Sequence, residues 1–256
     1  MKSKTKILRA RSSSWDPVAH WYAGWVGQHG SHYHRTIAVP LMLELLELRR
    51  GERLADLGCG HGILAPPVAR LGARYIGLDL SSRLIAEARR QQSRHGRFLV
   101  GDATDLPEHA LLARGEFDAA SFLLSIQDIN PLSDAIAEAA RLLRPGARLA
   151  MVMLHPCFRI PRQSGWGWDE GRGLKYRRLD SYLSPLAVPM QEHERGATRS
   201  YHRPLGDYVA ALHAADLAVT QIREVADAPA ERDGRADRRA AREFPLFLGM
   251  RAEKLG

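Results

Sequence analysis

Short apolar runs alternate with stretches of helical period through the middle of the chain. The segments "RLADLG" (53–58), "RYIGLD" (74–79), "RFLVGD" (97–102), "FDAASFLL" (117–124) and "ARLAMVML" (147–154) read as strands, and residues 63–71, 82–94 and 131–143 between them read as helices. Strands that alternate with helices predict a parallel, doubly wound sheet. The boundaries carry their own signals. Ser81 is an N-cap residue, Asn130-Pro131 places proline at the first helical position, and Arg144-Pro145-Gly146 stops a helix. Pro66 and Pro67 fall in a first turn, where no amide donor is lost.

Two helices are expected ahead of this region, near Pro17–Gln28 and Tyr33–Leu48. The second carries Ile37, Leu41, Leu45 and Leu48 on one face and is ended by Gly51. Residues 155–203 break the rhythm. They are rich in Gly, Pro, Trp and Tyr and too long for an ordinary connection, which predicts a lid or binding insertion. A helix follows Pro204, then a strand near Ala218–Val225, a charged loop "DAPAERDGRADRRAAR" and a last strand near Phe244–Arg251. Two strands joined without a crossover helix pair antiparallel if they are neighbours.

Composition narrows the class. The chain has 256 residues, 45% hydrophobic and 26% charged, which is ordinary for one globular domain. No run approaches the roughly 20 apolar residues that span a bilayer, and "MKSKTKILRARSSSW" lacks the apolar core of a secretory signal, so a cytoplasmic protein without a membrane partner is expected. Two cysteines, Cys59 and Cys157, exclude a disulfide framework, a four-cysteine zinc site and a three-cysteine iron–sulfur site. The net charge of +8 invites a nucleic-acid partner. However, all but five of the basic residues are arginines scattered beside acids, and the one concentrated patch, residues 2–11, reads as a disordered tail. Nucleic acid is therefore not the expected partner.

The sharpest chemical signal is "LADLGCGHG" (54–62): an apolar strand, Asp56, then Gly58, Gly60 and Gly62 in a turn where open α/β sheets bind ligands. The dinucleotide pattern G-x-G-x-x-G fails, because position 63 is Ile63, and Asp56 would repel a diphosphate. An acid there suits a cationic ligand such as S-adenosylmethionine. Asp79 ends the second strand, where a carboxylate can accept both ribose hydroxyls. Asp102 ends the third, where it can accept from an adenine amino group beside the Ala103 amide.

With those residues in view, the run from about Gly51 to Leu154 resembles the class I S-adenosylmethionine-dependent methyltransferases, close to the small-molecule and ubiquinone/menaquinone-type group. "LADLGCGHG" is similar to the family's first motif, "RLLRPGARL" to the helix–turn–strand before its fifth strand, and "YHRPLGDYVAALHAADL" to the segment before its sixth. The resemblance implies a Rossmann-like α/β fold: a seven-stranded, mostly parallel sheet with an antiparallel C-terminal hairpin, an N-terminal helical cap and an insertion after strand 5. It divides the chain into a basic tail (1–13) and one methyltransferase domain (14–256). Within the domain lie a helical cap (14–50), a cofactor-binding core (51–154), a substrate lid (155–203) and the C-terminal part of the core (204–256). It implies cofactor roles for Asp56, Gly58, Gly60, Asp79, Asp102 and Ala103; Tyr22, Tyr33, Cys59, Leu80 and Leu124 complete the candidate set. After the fourth strand, "LLSIQDINP" departs from the Asn/Asp-Pro-Pro-Tyr/Phe of enzymes that methylate amino groups of bases or glutamine. Asp128 and Asn130 only faintly echo a metal site, so no metal is expected.

Methyl transfer is a displacement in which positioning supplies much of the rate and a base is optional, but a hydroxyl acceptor benefits from a histidine titrating near neutrality. His155, just past the fifth strand, and His202, after the insertion, are the candidate catalytic residues. His32 and His34, two apart, face different sides of a helix and do not make a zinc pair. All five tryptophans lie outside the sheet, and Trp166 and Trp168 of the insertion suggest an aromatic lid. The expected function is S-adenosylmethionine-dependent transfer of a methyl group to O or N of a small, aromatic or amphipathic molecule, by a monomer or homodimer. An RNA or peptide methyltransferase and a non-catalytic binding protein are the alternatives.

Overall fold

The structure is a computed structural model that describes residues 15–19, 24, 26, 27, 30–107, 109–189, 198–226 and 234–256. The expected basic tail, Tyr22 and most of the helix expected near 17–28 lie outside the described residues. Seven strands form one sheet: β1 (Arg53–Leu57), β2 (Arg74–Asp79), β3 (Arg97–Val100), β4 (Phe117–Leu123), β5 (Leu143–Leu154), β10 (Leu217–Ala226) and β11 (Pro245–Lys254). Their order is β10-β11-β5-β4-β1-β2-β3. β11 runs antiparallel to both β5 and β10, and the remaining pairs are parallel. The C-terminal hairpin is therefore present, with its second strand inserted beside β5.

The central strands are buried on both faces, and their alternation sorts side chains between two cores. Ala55, Leu57, Ala120, Phe122, Leu149, Met151 and Met153 enter one core with Leu132, Ala135, Ile136 and Ala139 of helix α4 (Leu132–Leu142) and with Tyr208 and Leu212 of α5 (Leu205–Ala214). Leu54, Ala119, Ala150 and Val152 enter the other. There they meet α1 (Val39–Leu46), α2 (Ala65–Arg70) and α3 (Ser82–Gln92), through Met42, Leu45, Val68, Ile85 and Ala88. The register sets the residue that ends each strand: Asp56 of β1 pairs with Gly77 of β2 and Ser121 of β4, and Asp79 closes β2 opposite Val100.

Local signals hold in part. The Ser81 hydroxyl caps α3 by accepting the Leu84 amide at 3.2 Å, and Pro66 and Pro67 occupy the first turn of α2. Pro131 is the N-cap of α4 rather than its first helical residue, because its ψ of 149° is extended. α1 ends at Glu47, not Gly51: Glu47 turns left-handed (φ 43°) and its amide closes on the Leu43 carbonyl. A wider turn, His34–Ala38, leads into α1 just ahead of Pro40, which cannot donate an amide. Part of the charged loop is helix α6 (Arg235–Glu243). Its four arginines share one face and its three alanines the other, where Ala240 and Ala241 are buried, an amphipathic pattern that the reading as a loop missed.

The described residues of 155–203 include two antiparallel strand pairs, β6 (Ser164–Asp169) with β7 (Leu174–Leu179) and β8 (Leu186–Pro189) with β9 (Arg199–His202). Trp166 packs edge-on against Phe244 at 5.6 Å between ring centres, beneath Lys175 and Arg177, while Trp168 is about half exposed. Neither faces the cleft described below. No helix among the described residues is long and apolar enough to cross a membrane.

One buried cation ties the helical cap to the sheet. Arg148 of β5 donates to the Leu46 and Glu47 carbonyls at the end of α1, to the Asp118 carbonyl of β4, and to Glu52. It satisfies carbonyls that the helix end leaves open. Arg148→Ala strands the largely buried Glu52 carboxylate, and is expected to lower unfolding free energy by about 3 kcal/mol in urea titrations. Pairing it with Glu52→Gln should recover part of that loss, and a variant as stable as wild type would refute this role.

Candidate active site

The site begins at the carboxyl end of β1. The amides of Gly58 and Cys59 both donate to the Leu78 carbonyl, at 2.8 and 3.0 Å, and draw the turn against the end of β2. Gly58 has φ 71°, and a Cβ there would lie 2.6 Å from Ser125 Cβ, so only glycine fits. The Gly60 amide donates to Asp79 Oδ2 and the Ser81 amide to Asp79 Oδ1, each at 2.8 Å. The Asp79 carboxylate is thus held at both oxygens before any ligand arrives. Burial raises its pKa, and the two amides pull it back.

Asp56 is 1% exposed and accepts Tyr75 Oη at 2.6 Å and Ser121 Oγ at 2.7 Å. Burial lifts its carboxyl to about 6 against those two hydroxyls. Its oxygens are occupied within the sheet, so it offers the cleft its field more than a contact. Burial, with Asp79 and Asp56 nearby, pushes the Cys59 thiol up, and the side chain packs as an inert apolar group. Asp102 Oδ1 accepts the Thr104 amide at 2.9 Å and hydroxyl at 2.7 Å, which fixes the turn carrying Ala103.

These residues share a cleft of about 400 Å³, within the usual range for small-molecule sites. Tyr33, Asp56, Gly58, Cys59, Gly60, Asp79, Leu80, Asp102, Ala103 and Leu124 all line it. Leu124 is left-handed (φ 52°), a conformation leucine rarely adopts and for which the sequence offers no cue. The opposite wall comes from the turn after β4 (Ser125, Gln127–Asn130), with Leu154, Arg159, Tyr201 and Phe247. The Arg159 guanidinium lies 5.8 Å from the Tyr33 ring centre and 5.5 Å from that of Phe247. Among the described residues of the insertion, Arg159 and Tyr201 reach the cleft.

Both candidate catalytic histidines are corrected. His155 is 1% exposed and lies outside the cleft lining. Its Nδ1 accepts the Cys157 amide at 3.1 Å, which leaves the proton on Nε2 to donate to Glu224 at 2.9 Å. Both nitrogens are spent on holding the exit of β5. His202 donates from Nε2 to the Tyr182 carbonyl at 2.6 Å and is absent from the lining. Among the described residues, the histidines that do line the cleft are His34 and His61. His61 sits inside the glycine motif and was legible there; His34 is turned inward by the wide turn before α1 and carried no such signal. His34 pairs with Ser31 Oγ at 2.8 Å, and burial, aided by His61, lowers its pKa to about 4.

Strand order, the single reversed strand beside β5 and the cleft at the carboxyl ends of β1, β2 and β4 are the arrangement of the Rossmann-like class I methyltransferase fold. Residues 55–151 match the family described as a methyltransferase domain. The chain is 36% identical to malonyl-[acyl-carrier protein] O-methyltransferase of Enterobacter lignolyticus, over 62% of this chain and 63% of that protein. It is 32% identical to demethylmenaquinone methyltransferase of Beutenbergia cavernae, over 57% and 55% respectively. The chain thus spans between half and two thirds of the length of these relatives. An S-adenosylmethionine-dependent methyltransferase of Mesorhizobium loti superimposes with a TM-score of 0.71 at 25% identity, over 89% of this chain and all of that one.

The His34 shift makes a thermodynamic statement. A histidine whose folded pKa is lowered contributes its full stability above the unfolded value near 6.5 and loses it as pH falls toward 4. Urea titrations at pH 7 and 4.5 should show His34→Gln escaping about 2–3 kcal/mol of the wild-type loss; parallel losses in both proteins would contradict a buried neutral imidazole.

Proposed function

We propose that the protein transfers a methyl group from S-adenosylmethionine to O or N of a small aromatic or amphipathic molecule. The observation that carries this reading is the charge of the cleft. The chain is +8 overall, yet four carboxylates, Asp56, Asp79, Asp102 and Asp128, line a cleft whose one permanent cation among the described residues is Arg159. That polarity complements a ligand bearing an ammonium and a sulfonium against a single carboxylate. It opposes a dinucleotide diphosphate or a nucleic-acid backbone.

The residues present fit the methyl donor. Asp79, oriented by the Gly60 and Ser81 amides, accepts the ribose hydroxyls; Asp102 accepts the adenine amino group while the Ala103 amide meets the ring. The bare backbone at Gly58 lets the ligand approach, and Leu80, Leu124 and Tyr33 supply apolar walls. Asp56 attracts the ammonium through its field. When bound, the donor supplies a methyl carbon activated by a positive sulfur. The chain's own part is to hold the acceptor in line with it and exclude water, a contribution that reaches effective molarities of roughly 10⁵ M. In this reading the glycine turn and the ends of β1, β2 and β3 hold the donor. Tyr33 and His34 from the N-terminal region and Arg159 and Tyr201 from the insertion face the acceptor. Relatives named for demethylmenaquinone and for malonyl-[acyl-carrier protein] support an acceptor that is not a nucleic acid.

Calorimetry with S-adenosylhomocysteine should show micromolar affinity, weakened at least tenfold by Asp79→Ala, equal to about 1.4 kcal/mol. NAD should not compete. Affinity unchanged in the variant would remove the central inference, and a labelled methyl group that enters only macromolecules, never the ultrafiltrate of an extract, would sink the small-molecule acceptor.

A further inference from the structure

The short turn Ile126–Asp128 after β4 is built into the cleft more firmly than a surface loop requires. Ser125 Oγ donates to the Leu57 carbonyl at 2.8 Å, which seats the turn directly on the glycine turn, with Ser125 filling the space a Cβ on Gly58 would need. From the other side the buried Arg203 donates to the Ile126 carbonyl at 3.4 Å, the Ile129 carbonyl at 2.7 Å and Asn130 Oδ1 at 3.0 Å. Gln127 is oriented by its own amide, Nε2 donating to the Leu124 carbonyl at 2.7 Å.

Two acceptor atoms on this fixed turn are left over. Asp128 Oδ1 and Gln127 Oε1 are both shielded from solvent, neither is reached by a protein donor, and both residues line the cleft. Elsewhere the same wall satisfies its polar atoms, as the bonds of Ser125 and Asn130 show. A buried acceptor without a donor is costly, and a ligand that brings donors removes the cost.

We infer that Asp128 is the catalytic base of the methyl transfer and that the acceptor is a hydroxyl compound, which gives its reacting O–H to Asp128 Oδ1 and a second, neighbouring donor to Gln127 Oε1. This rests on the methyl-transfer reading and narrows it to oxygen. The hydroxyl proton passes to the Asp128 carboxylate, an oxygen lone pair forms the new bond to the methyl carbon, and the carbon–sulfur bond breaks with its electrons returning to sulfur. The products are the methyl ether, neutral S-adenosylhomocysteine and protonated Asp128. Burial raises the Asp128 carboxyl to about 7, against the opposing pull of Ser200 and Arg203, and Tyr208 of α5 faces the same carboxyl. A base that titrates there is half ionised at neutral pH and strong enough to take a proton from a phenol or enol.

The test measures labelled-methyl transfer from S-adenosylmethionine into the small-molecule fraction of an extract of the organism that carries the protein, from pH 5.5 to 9, alongside calorimetry with S-adenosylhomocysteine. The isosteric Asp128→Asn should bind S-adenosylhomocysteine within about twofold of wild type, lose about 10²-fold or more in rate, and lose the rise in rate through pH 7. A second readout needs no acceptor. A carboxyl whose folded pKa is raised gives its stability below the unfolded value near 4 and loses it as pH climbs to 7, so wild type should fall relative to Asp128→Asn between pH 4 and 7 and run parallel to it above. A variant with wild-type rate and the same pH limb overturns the assignment, as does the absence of any difference in the stability profile. Failure of wild type itself to bind S-adenosylhomocysteine, or to methylate anything in the fraction, overturns the underlying methyl-transfer reading and Asp128 with it.

Discussion

The carbonyl of Leu78 accepts two amides, those of Gly58 and Cys59, and the site grows outward from that shared acceptor. To aim two successive N–H groups at one oxygen, the chain leaves β1 through a left-handed residue. That geometry carries Gly60 to the Asp79 carboxylate, so the ends of β1 and β2 become one rigid edge. Because position 58 has no side chain, Ser125 closes onto the same turn and brings the exit of β4 with it. A single methyl group at that position would drive apart the two halves of the cleft, which we assign to the donor and to the acceptor.

Charge is organised inversely to the chain's composition. The arginines spread over the surface and pair with neighbouring acids, or, like Arg148 and Arg203, serve as buried clamps on backbone carbonyls. The guanidinium suits this work because its planar fork reaches several acceptors at once. Acids collect instead at the strand ends. There burial and hydrogen-bond supply decide their behaviour separately: Asp79 has amides at both oxygens, Asp56 has hydroxyls at both, and Asp128 keeps one oxygen unclaimed. Three carboxylates on one sheet edge thus take three different states from their neighbours alone.

His155 and His202 show the complementary case of a polar side chain whose capacity the fold consumes. Both are buried, and buried polar groups are almost always paired. His155 bridges the Cys157 amide and Glu224 of the edge strand β10, and His202 anchors the β8–β9 pair on the Tyr182 carbonyl. His155 follows β5 and His202 ends β9, but the Nε2 of each ring is aimed at a partner 69 residues away for His155 and 20 for His202, which the local sequence does not disclose.

What the sequence by itself determined was whatever short-range chemistry encodes. Strand and helix order follow from apolar period, the α3 cap from Ser81, and one edge of the cleft from "LADLGCGHG" with Asp79 and Asp102. Glycine, proline and strand-end acids act on backbone within a few residues, so a linear reading captures them. What only the tertiary structure decided was which side chains converge: Leu124 in a left-handed turn, His34 swung into the cleft, Trp166 packed against Phe244 rather than over the site, and Asp128 left with an unpartnered oxygen. None of these has a local signature, because each depends on hydrogen bonds and packing between segments tens of residues apart, and a polar atom's unmet demand exists only once every other partner has been placed.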